Sequence, residues 1–228
     1  MKIVLFDIDD TLLVCGNETN VNASRKMFKQ VFEIDADEDM IDNKGKTDKQ
    51  IIGEVVALVK GCSSIDEVKI PSEAFQVWAE TLEDLLNLHP ARILPGITEL
   101  LDALSKKANV LLGLLTGNSP SRAKIKLENT KLEKYFKDKS GLIGAFGDIT
   151  NIRADLIRIT KEKYRGYTHI IIDDSLIGAK MAKDSNVESI LVATGNASAE
   201  ELKEYSDYVF PDFGEGRWRE AVEVIENI

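Results

Sequence analysis

The sequence predicts an α/β protein: a doubly wound parallel sheet with an inserted helical unit. Three observations lead there. The candidate strands are short, unbroken apolar runs, the pattern of strands covered on both faces by helices. From residue 91 onward such runs alternate with helical periodicity, as in an open α/β sheet. Between about 15 and 90 that alternation stops, and helical stripes follow one another with no convincing strand between them.

Taken in order, Ile3, Val4, Leu5 and Phe6 form the first run. In the next region Ile52, Val55, Val56 and Val59 make one apolar face at helical spacing. Phe75, Trp78, Leu82 and Leu85 make a second. Two such faces pack together as a small bundle, with Leu88-His89-Pro90-Ala91 as the return crossing. Ile97, Leu100, Leu101 and Leu104 then follow the i, i+3, i+4, i+7 pattern after Pro95-Gly96 and lead into a second strand at 110–115. Runs at 170–172 and 189–192 give two more strands, with weaker candidates near Leu142 and Tyr208. The expected division is a core of 1–14 and 91–228 with a helical cap of 15–90. There is no internal repeat and no low-complexity tract.

Composition narrows the classes. With 228 residues, 43% hydrophobic and 30% charged, the chain has the balance of a packed globular protein. Its 29 Lys+Arg against 39 Asp+Glu give a net charge of −10, which repels nucleic acid and acidic membranes. An anionic substrate therefore needs a local positive pocket. Two cysteines, Cys15 and Cys62, are too few for a disulfide framework. No stretch has the length of a bilayer span, and Asp7 interrupts the N-terminal apolar run. A cytoplasmic protein is expected, of an oligomeric state the sequence does not fix.

The chemistry lies at the strand ends. Asp7-Ile8-Asp9-Asp10-Thr11 follows the first run and puts three carboxylates at the rim where such sheets bind ligands. Crowded carboxylates repel unless a cation neutralises them, so a divalent metal is their natural partner, with an acidic turn or helix cap as the plain alternative. Thr116-Gly117-Asn118 follows the second strand, offering hydroxyl, amide and backbone donors to an anion just before a helix, though it also reads as a turn and helix cap. Asp173 and Asp174 end the third. If these strands are neighbours, Asp7, Asp9, Asp173 and Asp174 converge into an oxygen-rich site suited to Mg²⁺. His89 and His169 have no ligand-spaced partner, and the cysteines form no paired motif, so zinc is not expected.

These motifs, in this order, resemble the haloacid dehalogenase superfamily, specifically its phosphatase-like members with a helical cap after the first motif. Asp7-Ile8-Asp9-Asp10-Thr11 matches DxDxT, Thr116-Gly117-Asn118 the hydroxyl-bearing second motif, and Asp173-Asp174 the terminal acidic motif. Gly45-Lys46-Thr47-Asp48 is similar to a cap segment of phosphoglycolate-phosphatase-like relatives, making Lys46, Thr47 and Asp48 candidate substrate contacts. The resemblance implies Asp7 as nucleophile, forming an aspartyl-phosphate, and Asp9 as the acid that protonates the leaving oxygen and later activates water. It implies Mg²⁺ held by Asp7, the Asp9 carbonyl and Asp174, with Thr116, Gly117 and Asn118 binding the phosphoryl group. A basic residue, usually lysine, is expected on a later helix; Arg153 stands in that region, with Lys124, Lys126 and Lys161 as rivals that otherwise read as solvated helix charges.

Two positions depart from the pattern. Relatives often carry Gly-Asp followed four residues later by another Asp; here Asp173 replaces the glycine and Gly178 the later aspartate. Asp10 stands where relatives often have glycine and reads as a solvated turn carboxylate. The function expected is Mg²⁺-dependent hydrolysis of a small phosphorylated metabolite. Alternatives are a phosphomutase, a carbon-halogen hydrolase of the same fold, a phosphoacceptor signalling domain, or a binding protein with weak turnover.

Overall fold

The apolar runs become the middle of a six-stranded sheet in the computed structural model, which describes residues 1–228. In chain order the strands are β1 (Lys2–Phe6), β2 (Leu13–Val14), β3 (Arg92–Ile93), β4 (Val110–Leu115), β5 (Lys137–Asp138), β6 (Gly141–Leu142), β7 (Gly144–Ala145), β8 (Thr168–Asp173), β9 (Glu188–Val192) and β10 (Tyr208–Phe210). The helices are α1 (Asn17–Phe32), α2 (Asp48–Lys60), α3 (Ser72–Leu88), α4 (Ile97–Leu104), α5 (Pro120–Asn129), α6 (Asp155–Lys163), α7 (Leu176–Asp184), α8 (Ala199–Leu202) and α9 (Arg217–Asn227). The main sheet is parallel throughout, in the order β10-β9-β8-β1-β4-β7. Its first strand lies inside, with crossovers to both sides, which is the doubly wound arrangement.

β1 shows why its sequence has no polar alternation. Val4 and Phe6 enter one apolar cluster, covered by α4, α5 and α9. Ile3 and Leu5 enter another, covered by α6 and α7. Successive side chains of a strand point to opposite faces, so a sheet with helices on both faces has no solvated side for polar residues. On α4, Ile97, Leu100, Leu101 and Leu104 have no exposed surface, as their spacing predicts.

One strand expectation shifts, and one strand is new. Leu142 lies in the small antiparallel ribbon of β5 and β6, outside the main sheet, whose edge is β7. Gly144 in β7 has φ of 142°, and a Cβ there would stand 2.1 Å from the Leu114 carbonyl oxygen. That strand is made possible by a missing side chain, so apolar patterning does not reveal it.

The stretch from α1 to α3 builds its own apolar cluster around Met27, Phe28, Ile52, Val55, Trp78 and Leu82. α1 is a third helix beside the two predicted stripes and packs chiefly on α3. On α2 the buried face includes Ile51, while Val59 is exposed. The chain leaves the core through β2 and returns through β3, which pair antiparallel with Leu13 opposite Ile93. No helix is long and apolar enough to cross a membrane.

Candidate active site

Register brings the acidic strand ends together. Phe6 lies opposite both Leu114 and Ile172, so Asp7 leaves the sheet level with Leu115 and Asp173. The Asp7 N–H donates to the Ile172 carbonyl at 2.9 Å. Carboxylate oxygens of Asp7, Asp173 and Asp174 fall within 4.8 Å of one another, and all three residues are buried. Arg153, just before α6, answers this charge: its Nη2 lies 2.8 Å from Asp7 Oδ2 and 2.8 Å from Asp173 Oδ2. Burial opposes the Arg153 charge, but Asp7 and Asp173 outweigh it and hold the guanidinium protonated.

One guanidinium does not neutralise three carboxylates. Burial pushes the Asp7 carboxyl above its ordinary range; Arg153 opposes this and Asp173 adds to it. Burial, then the charges of Asp173 and Asp7, push Asp174 well above its range, although the Thr11 hydroxyl donates to its Oδ1 at 2.8 Å.

The departure at Gly178 has a steric cause. A Cβ on Gly178 would stand 2.1 Å from the Asp173 carboxyl, so Asp173 and a side chain at 178 exclude one another. Asp173 is fully engaged where it is, accepting from Arg153 at Oδ2 and from the Ser175 N–H and hydroxyl at Oδ1, at 2.9 and 2.7 Å. Asp10 has φ of 57°, which explains why glycine suits that position. Half-buried rather than solvated, it is pushed up to about 6 by burial and by Asp9 and Asp7.

Asp9 turns its side chain to α5. The Lys126 Nζ lies 2.7 and 2.6 Å from its two oxygens and 2.8 Å from Asn118 Oδ1, while Asn118 Nδ2 donates to Asp9 Oδ2 at 2.8 Å. Burial works against the Asp9 charge, but Lys126, Arg122 and Asn118 outweigh it and hold the carboxyl below the usual range. Its side chain stays 37% exposed and borders the cavity, so it is open to a ligand. Thr116 is fully buried and supports Asn118, accepting from its N–H at 3.2 Å and its Nδ2 at 3.0 Å. Gly117 and Asn118 reach the cavity wall.

Lys126 has no exposed surface, unlike Lys124, which is exposed beside Glu128, and Lys161, which donates to the Ser185 carbonyl. Both Arg153 and Lys126 therefore enter the site, on different carboxylates. The signal for Lys126 was present: it shares the inward stripe of α5 with Ala123 and Leu127, a poor place for a solvated charge.

The helical unit closes the other side. Asp48, capped into α2 by Thr47, pairs with Arg122 of α5 and accepts from the Ser119 N–H at 2.7 Å. The Arg122 guanidinium stacks 3.8 Å from the centre of the Trp78 ring. Main-chain bonds join the two units: Asp48 N–H to Gly117 O at 2.7 Å and Lys49 N–H to Gly147 O at 2.9 Å. The Thr47 hydroxyl donates to Thr150 O at 2.7 Å, so Thr47 fastens the seam without bordering the cavity. Lys46 borders it but pairs with Glu54 at 2.5 Å. The cavity between the two units is about 730 Å³, partly open to solvent, and bordered by Asp7, Asp9, Asn118, Arg153 and Asp174 from the core and by Glu38 from the helical unit. Sequence reasoning gave Arg122 and Glu38 no role.

The residues present fit a hard divalent cation. The donors are oxygens, with no sulfur or imidazole among them, and their charge exceeds what Arg153 supplies. No hydrogen bond ends on the Asp9 carbonyl, leaving its oxygen free as a further donor.

Comparison with known proteins agrees with this arrangement. CbbY from Rhodobacter sphaeroides in complex with phosphate is similar, with TM-score 0.69 and 20% identity over 94% of this chain and 96% of that one. A predicted phosphatase from Clostridium acetobutylicum gives TM-score 0.65 and 22% identity over 97% and 98%. A haloacid dehalogenase-like hydrolase from Streptococcus pneumoniae gives TM-score 0.60 and 20% identity over 99% and 98%. At such identities these likenesses speak for the fold. No curated protein matches the sequence. The model of the haloacid dehalogenase-like hydrolases matches residues 4–192, from inside β1 to the end of β9 and through every strand end that meets at Asp7; the chain belongs to that family.

Proposed function

We propose that the protein is a Mg²⁺-dependent phosphatase acting on a small organic phosphomonoester through an aspartyl-phosphate on Asp7. The observation that carries the reading is the state of Asp7: a buried carboxylate with one oxygen 2.8 Å from Arg153, bordering a polar cavity that it shares with Asp9. A nucleophilic carboxylate needs its charge compensated without being blocked, and an arginine on one oxygen leaves the other free.

Asp7 attacks phosphorus, forming a bond from its carboxylate oxygen while the bond to the ester oxygen breaks. Asp9 delivers the proton that ester oxygen needs. With no substrate in place, Lys126 keeps Asp9 ionised; an arriving phosphate dianion raises the cost of that charge and favours the protonated acid. Once the alcohol has left, the Asp9 carboxylate takes a proton from water as the water attacks the aspartyl-phosphate. Arg153 and the Gly117-Asn118 backbone and amide orient the phosphoryl oxygens. Asp7, Asp174 and the Asp9 carbonyl would hold Mg²⁺, with Asp173 anchoring Arg153. When bound, the ion supplies positive charge that screens Asp7 from the phosphate and draws charge from its oxygens. Within the family, Gly45-Lys46-Thr47-Asp48 points to phosphoglycolate-phosphatase-like relatives. CbbY, similar in fold, has been solved with xylulose-(1,5)bisphosphate bound, and the cavity here has the polarity for a small phosphorylated ligand.

The test is hydrolysis of p-nitrophenyl phosphate with and without Mg²⁺, in wild type, Asp7→Asn and Asp9→Asn. Mg²⁺-dependent release that either substitution lowers by roughly a hundredfold or more supports the reading. An active Asp7→Asn protein, or turnover that persists in chelator, ends it. Transfer of the phosphoryl group to a second sugar hydroxyl in place of water would reassign the protein as a mutase.

A further inference from the structure

We infer that Glu38 selects the alcohol part of the substrate by hydrogen bonding to its hydroxyl groups, so that the preferred ester is a small polyhydroxylated phosphate. This inference rests on the phosphatase reading above.

Glu38 is set in place by its backbone. Its N–H donates to the Ser24 hydroxyl of α1 at 3.0 Å, and its carbonyl accepts from Asn43 Nδ2 at 3.2 Å. Next to it, the Asp37 carboxylate caps the turn by accepting from the Asp39 N–H at 3.1 Å. The residue is 7% exposed and borders the cavity, yet its carboxylate makes no hydrogen bond and no ion pair. Buried polar groups are nearly always paired, and one left open at a cavity is an acceptor awaiting a donor. A second unpaired acceptor borders the same cavity: Asn20 Oδ1, on α1, is buried without a partner. Both belong to the helical unit, away from the strand ends where Asp7, Arg153 and Asn118 receive the phosphate.

The chemistry of the wall chooses among donors. Only four of the 25 bordering residues are hydrophobic, so an alkyl or aryl alcohol leaves polar groups unpaired that a hydroxyl-bearing one engages. The charges that reach Glu38 are of both signs, Arg122 and Lys126 against Asp48 and Asp9, so hydrogen bonding makes the choice. Burial pushes the Glu38 carboxyl up to about 7, so near neutrality it both accepts and donates. A hydroxyl answers both roles, whereas an ammonium only donates.

The test compares kcat/KM for glycerol phosphate, propyl phosphate and phosphoethanolamine in wild type, Glu38→Gln and Glu38→Leu, with thermal melting to confirm folding. The expected result is a wild-type preference for glycerol phosphate over propyl phosphate of about tenfold or more. That ratio falls toward one in Glu38→Leu and is partly kept by Glu38→Gln, which retains an acceptor and a donor and covers the case where the leucine variant does not fold. A wild-type ratio near one, a ratio unchanged by either variant, or preference for phosphoethanolamine overturns the inference. Failure of wild type on glycerol phosphate and p-nitrophenyl phosphate alike sinks the phosphatase reading by itself. Calorimetric binding of glycerol and propyl phosphates to Asp7→Asn, with and without Glu38→Leu, then decides the role of Glu38: discrimination lost with Glu38 supports it, and equal binding of both esters ends it.

Discussion

Asp174 is a buried carboxylate with one hydrogen bond, from Thr11, and no ion pair. Its charge is a cost that a proton or a cation relieves, so Asp174→Asn is expected to make the metal-free protein more stable by on the order of 1 kcal/mol while abolishing activity. Denaturant midpoints measured with chelator and with Mg²⁺ check this: the ion raises the wild-type midpoint and leaves the variant unmoved. Lys126 makes the opposite contribution, since it is the counter-charge that fixes Asp9. Lys126→Met, similar in volume, is expected to lower kcat by roughly ten- to a hundredfold with a far smaller change in KM, because it disturbs proton transfer more than phosphate binding. Asp7 and Asp9 were legible in the sequence because strand-end carboxylates announce themselves. Lys126 was not given its place, because a lysine on a helix is usually solvated and only its inward stripe says otherwise.

α5 is the element that ties chemistry to closure, carrying Lys126 to Asp9 and, one turn earlier, Arg122 to Asp48 of the helical unit. Both members of the Arg122–Asp48 pair are buried, so removing one leaves the other charge unpaired. Arg122→Ala is expected to cost about 3–5 kcal/mol, and adding Asp48→Ala is expected to restore part of it. A double-mutant cycle in urea reads the coupling directly. The inserted helices were legible as a unit because their apolar stripes needed each other. Their contacts with the core were not: Arg122 meets both Asp48 and Trp78, from separate helices, and no periodicity in a single segment encodes such a meeting. β7 escaped for a related reason, since Gly144 acts through the side chain it lacks.

For the whole molecule, stability is tied to pH through Glu38, whose carboxyl rises from an ordinary 4.5 to about 7 on folding. The folded chain holds that proton more tightly than the unfolded chain. Stability from this group is therefore fullest below pH 4.5 and is lost as pH rises toward 7. Glu38→Gln keeps the shape without the titration. Its advantage over wild type is expected to be absent below pH 4.5 and to grow to roughly 3 kcal/mol above pH 7, as urea melts across that range would show. The overall architecture was legible because parallel strands in register gather the residues just past their carboxyl ends, so Asp7 and Asp174 arrive together from distant parts of the chain. The Gly117–Asp48 and Gly147–Lys49 seam has a different bearing on the molecule's history. Every amino acid except proline brings the same amide, so these two bonds survive drift at Asp48 and Lys49 even where the Asp48 side chain and its pair with Arg122 are lost. Its vulnerable points are the two glycines: a methyl group on Gly117 would strike the Lys46 carbonyl at 2.1 Å, and one on Gly147 the Gly117 carbonyl at 1.9 Å, wedging ajar a joint that no exchange of outward side chains would loosen.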